Sequence, residues 1–152
     1  MLYSFFLTSH SVLRYVLLIL LILTLIKSFR GWQKHLPFDA ITDRLSFFTT
    51  VTAHLQLLIG LILYWISPIL NYGRSHAAGW MADHFLRYWM MEHLVGMLLA
   101  IALITVGRIL MKKANNDMQK HKRIFIYFAI GLLITLLMIP WPFREIIGRS
   151  WL

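Results

Sequence analysis

Four long apolar runs separated by short polar connections set the limits on how this chain can fold. The first has VLLILLILTLI at its centre, and the others carry LQLLIGLILYWI, LVGMLLAIALITV and IFIYFAIGLLITLLMI. A helix needs about 20 mostly apolar residues to cross the hydrocarbon core. Lipid offers the backbone no hydrogen bonds, so a spanning segment must satisfy its own, as a helix does. Four crossings use up most of the 152 residues. The expected fold is all-α: an integral membrane four-helix bundle, one transmembrane domain over residues 1–152. Its spans fall at about 8–29, 45–66, 88–107 and 123–140, and the first helix has room to start as early as Leu2. Span two ends at Ser67-Pro68 and span four at Pro140-Trp141-Pro142, because proline cannot continue a helix cheaply.

Composition agrees with a bilayer as solvent. Hydrophobic residues make up 59% of the chain and charged residues 14%, against about 25% charged in soluble domains. Cysteine is absent, which excludes disulfides, thiolate catalysis, iron–sulfur clusters and thiolate-bound zinc. The net charge of +9 sits at the ends of apolar runs, which reads as topology signals and contact with anionic lipid headgroups, with no nucleic acid as partner. No small-residue cleavage site follows the first run, so it reads as a span and not as a signal peptide.

The basic residues divide unevenly. Lys27, Arg30, Lys34 and Arg44 flank one connection; Arg108, Lys112, Lys113, Lys120, Lys122 and Arg123 flank another on the same side. The opposite side carries only Arg74, Arg87, Arg144 and Arg149, with Arg14 set apart inside span one. The positive-inside rule then places both termini on the periplasmic side of a bacterial inner membrane. Trp65, Trp80, Trp89, Trp141 and Trp151 fall near that outer face, where amphipathic rings anchor, and Trp32 marks the inner one. The connection Pro68–Arg87 is the longest on the outer side, and part of it is expected to lie as a short interfacial helix.

Each span carries one histidine: His10, His54, His93 and His121. A membrane interior penalises ionisable side chains, so each is a candidate functional residue. Helix rise puts His10 at the outer interface and His93 roughly 8 Å below it, with His54 roughly 16 Å below it and His121 at the inner edge. A bundle that points imidazoles inward can grip a metal or a haem. His93 lies close enough in depth to His10, and also to His54, for helix tilt to pair it with either, whereas His121 finds only His35 nearby. One haem is therefore expected in the outer half in preference to a symmetric pair. His35, His76 and His84 read as solvated loop residues, and Met90, Met91 and Met97 are weaker ligand candidates near His93.

Gly96 and Ala100 follow His93 at helical spacing, and Gly60 and Ala53 offer similar relief on span two. Such residues either admit a flat ring or let helices pack closely. Arg14 lies one turn below His10, placed either to neutralise a haem carboxylate or to pair with Glu92. Glu92 is correspondingly either that ion-pair partner or a proton or quinone site. Arg144 belongs either to a rigid interfacial cap or to a carboxylate-binding site.

Several strings in the chain resemble those of a small four-helix family of Bacteroidetes membrane proteins labelled cytochrome b. They are SHSVLRY at Ser9–Tyr15, AHLQLLIGLILYWISP at Ala53–Pro68, EHLVGM at Glu92–Met97, KHKRIFI at Lys120–Ile126 and IPWPFRE at Ile139–Glu145. The resemblance covers nearly the whole chain and includes all four span histidines. It implies a haem b cofactor and an electron-transfer role, exchanging electrons with quinone, a membrane redox protein or a larger membrane complex. Two other classes of function stand beside it. One is a haem-free metal site on His10, His54 and His93 with Glu92. The other is an accessory subunit whose histidines only bridge helices.

Overall fold

The computed structural model describes residues 1–76 and 79–149. Trp151 lies outside the described residues. The elements are α1 (Leu2–Gln33), α2 (Ala40–Ile66), α3 (Pro68–Ser75), α4 (His84–Arg87), a π-helical turn (Tyr88–Glu92), α5 (His93–Lys112) and α6 (Asp117–Met138). There is no strand among the described residues. Four helical stretches are long and apolar enough to cross a membrane: α1, α2, the continuous run His84–Lys112, and α6. They begin or end beyond the expected spans mainly at the end of the bundle opposite the termini, where polar turns of α1, α2 and α6 project past the apolar core.

Each long helix packs on its neighbours in sequence, and α1 closes the ring against α6. The helix pairs α1/α5 and α2/α6 are therefore diagonal. The bundle is apolar outside: Ile19, Leu23, Leu58, Leu99 and Leu133 are exposed on its flanks. Its interior mixes an apolar cluster of Leu17, Leu21, Ile104, Ile124 and Phe128 with buried hydroxyls. Thr24 and Thr49 meet across α1 and α2 at 2.9 Å, the small-residue packing that membrane helices favour where lipid supplies no hydrophobic drive. Gly96 serves the same purpose. A Cβ there would run into Met138, so its missing side chain lets α6 approach α5.

Arg108, expected among the loop charges, is 8% exposed. It pairs with the Asp43 carboxylate at 3.1 Å and donates to the Ser46 hydroxyl, tying α5 to α2. The Pro68–Arg87 connection does contain a short helix, α3, with proline at its first position as helix starts prefer.

Asp39 caps α2. Its carboxylate accepts from the Thr42 amide at 2.7 Å and hydroxyl at 2.5 Å, and it pairs with Lys27 of α1 at 2.9 Å. The Thr42 hydroxyl first, and then Lys27, hold the Asp39 carboxyl well below the usual carboxylate range. A folded-state value below the unfolded one stabilises the fold fully above the unfolded value, about 3.9, and is lost as pH falls through the folded value. Detergent-solubilised protein is therefore expected to melt higher than Asp39→Ala at neutral pH, with the gap closing on acidification below about pH 4. A gap that does not change with pH would refute the capping role.

Candidate functional site at the terminal end of the bundle

A cavity of about 390 Å³ opens inside the bundle at the end where the chain starts and α6 stops. Ligand sites usually span about 300–1,000 Å³. Its walls are mostly apolar, with Leu57, Leu94 and Ile101 among them, and into it reach His10 and Arg14 of α1, Gln56 of α2, and Trp89 and His93. The helices carrying His10 and His93 are diagonal, so the two imidazoles enter from opposite walls.

The end of α6 positions His93. In a helix the carbonyl of residue i accepts from the amide of i+4, and residue 142 is Pro142, which has no N–H. The Met138 carbonyl is thereby left for other donors. It accepts from His93 Nδ1 at 2.8 Å and from the Tyr88 hydroxyl at 2.6 Å. A carbonyl cannot donate, so Nδ1 of His93 carries the proton and Nε2 keeps its lone pair. Pro140 vacates the Leu136 carbonyl in the same way, and the Trp141 indole fills it at 2.9 Å. Pro68 vacates that of Tyr64, which Arg74 fills at 2.5 Å.

The π-helical turn makes the sharing at Met138 possible. It closes with the His93 amide on the Tyr88 carbonyl. In an α-helix, residues five apart diverge by about 140°; the wider turn brings them onto one face. Such turns recur at functional sites.

His10 is set differently. Gln56 donates to its carbonyl at 2.9 Å, while His10 Nδ1 and Gln56 Oε1 are buried with no protein partner among the described residues. Gly60 of α2 makes room for the ring: a Cβ there would sit 3.2 Å from His10 Cε1.

The other candidates separate. His54 is exposed on the outer surface of α2, its Nε2 3.2 Å from the Thr105 hydroxyl. That hydroxyl gives its proton to Ile101, so His54 donates through Nε2. It does not line the cavity. His121 is 2% exposed at the far end, its two ring nitrogens without a hydrogen-bond partner among the described residues, against Phe38 and Gly31. Among the described residues no three His, Asp or Glu side chains gather closely enough to hold a metal ion. A site built on His10, His54 and His93 together is therefore not assembled.

Glu92, the last residue of the π-helical turn, pairs at 2.7 Å with Arg87, which immediately precedes that turn, and not with Arg14. Arg14 lines the cavity and bonds the Tyr15 hydroxyl at 3.1 Å. Arg144 donates to the carbonyls of Leu137 and Ile139 and lies over the Tyr88 ring, which makes it part of the cap on α6. Met97 lines the cavity.

Sequence reasoning passed over Arg149. Its backbone folds back to bond the Pro140 carbonyl at 3.1 Å, which brings its guanidinium over Trp89 and 3.3 Å from the Tyr3 hydroxyl at the cavity. Only the reversal after Pro142 could have signalled it. Comparison with family models, curated proteins and solved structures finds no match for this chain.

Proposed function

We propose that the chain is a membrane b-type haem protein that carries electrons, in which His10 and His93 would hold a single haem. The observation that carries this reading is one cavity entered from diagonal helices by two imidazoles, one of them held as the tautomer whose Nε2 can ligate iron. Two further features support it. The apolar walls suit a porphyrin face. Arg14 and Arg149 suit its carboxylates, and no described residue lining the cavity is acidic.

Haem bound there supplies reversible one-electron exchange; the protein supplies ligands, orientation and a dry surround. Trp89, Gln56 and Gly60 shape the space in which the two imidazoles stand. The uneven loop charges put the far end of the bundle in the cytoplasm and the cavity towards the periplasmic side of an inner membrane. The redox partner on this reading is a quinone or another membrane protein reached at that side.

Purified full-length protein, expressed with haem supply, is expected to show a Soret band and a b-type alpha band on reduction, with one haem per chain by pyridine haemochrome assay. Protein folded as a helical bundle that shows neither band after haem titration would refute the proposal.

A further inference from the structure

The Met138 carbonyl serves two buried donors at once, and we propose that Tyr88 tunes the redox behaviour of the site by competing with His93 for it. The inference rests on the haem reading above and concerns how Tyr88 and the Met138 carbonyl, neither of which lines the cavity, act on His93. The Tyr88 hydroxyl lies 2.6 Å and His93 Nδ1 2.8 Å from the same oxygen. Tyr88 is 0% exposed, so its hydroxyl cannot turn away to water.

A carbonyl oxygen has two lone pairs but one pool of charge. The more strongly it is polarised by one donor, the less it draws on the other. The Nδ1–H···O bond sets how basic the opposite nitrogen is, and outer partners of ligating histidines tune a metal in this way. Without the Tyr88 hydroxyl, the carbonyl pulls harder on Nδ1–H. The imidazole then becomes a stronger electron donor through Nε2 and favours the oxidised metal. The arrangement also explains the local sequence. Pro142 removes the amide that would otherwise claim this carbonyl, and the π-helical turn aligns Tyr88 with His93. Neither is needed merely to end a helix.

The test is the midpoint potential of the haem-loaded full chain, by spectroelectrochemistry. Tyr88→Phe is expected to raise the oxidised-to-reduced ratio at fixed potential about tenfold, a downward shift of about 59 mV for one electron, with Soret and alpha bands retained. A fluorinated tyrosine at position 88 alone keeps the packing but donates more strongly, and is expected to shift the potential upward. Opposite shifts support the competition, since loosened packing has no reason to reverse sign. Bands intact with no shift, or with both shifts in one direction, overturn this inference and leave the haem reading standing. Should the phenylalanine protein fail to assemble, the fluorinated protein decides alone: an upward shift supports the inference and no shift overturns it. Wild-type protein that takes up no haem overturns the haem reading and this inference together.

Discussion

Replacing His93 by alanine is expected to abolish haem retention, and His10→Ala to do the same, while His54→Ala keeps the full complement. The asymmetry is what the structure adds. By depth alone all three are candidates, but only His10 and His93 line the cavity, while His54 faces outward and gives its Nε2 proton to Thr105. Removing a group that merely orients a ligand weakens metal binding about 10–100-fold, so loss of the ligand itself should exceed that range. Haem per chain after size-exclusion chromatography measures the effect. Retention in His93→Ala together with loss in His54→Ala would show that the ligand pair is wrong.

The second large effect concerns stability at the far end. Gly31→Ala is expected to lower the melting temperature of solubilised protein sharply, because the new methyl would overlap the imidazole of His121. That ring is 2% exposed and wedged against Phe38, with little room to turn. Overpacking of this kind costs about 1–3 kcal/mol. Adding His121→Ala to Gly31→Ala removes the obstacle, so the double variant should be more stable than additivity of the two single changes predicts. Additive losses would mean that the two residues do not meet. Haem content should stay unchanged throughout, since His121 lies at the opposite end from the cavity.

The mismatch between His121 and the other span histidines was visible in its depth; its packing role was not. The same division runs through the site. His10 and His93 were legible because an ionisable residue within an apolar run stands out by residue type. The outward turn of His54 was not, because it depends on where α5 lies beside α2. Arg14 and Glu92 looked like partners across two spans. The π-helical turn instead brings Glu92 to Arg87, and a single inserted residue in the hydrogen-bond ladder leaves no mark in composition or periodicity. Pro140 and Pro142 read as stop signals, and they are. That they also vacate carbonyls for Trp141, Tyr88 and His93 follows only once the neighbouring helix is in place.

The sequence by itself determined that the chain forms four apolar helices, where proline ends them, and which residue types are costly enough in lipid to need a reason. Those properties are local: they depend on hydropathy along one segment and on backbone chemistry within four residues. Tertiary structure decided which histidines share a cavity, which carbonyl holds His93, and that Arg149 returns to the mouth of the site. Those depend on the rotation of each helix about its axis and on which helices are diagonal. Both are set by close contacts such as Gly60 with His10 and Gly96 with Met138, which join residues far apart in the chain.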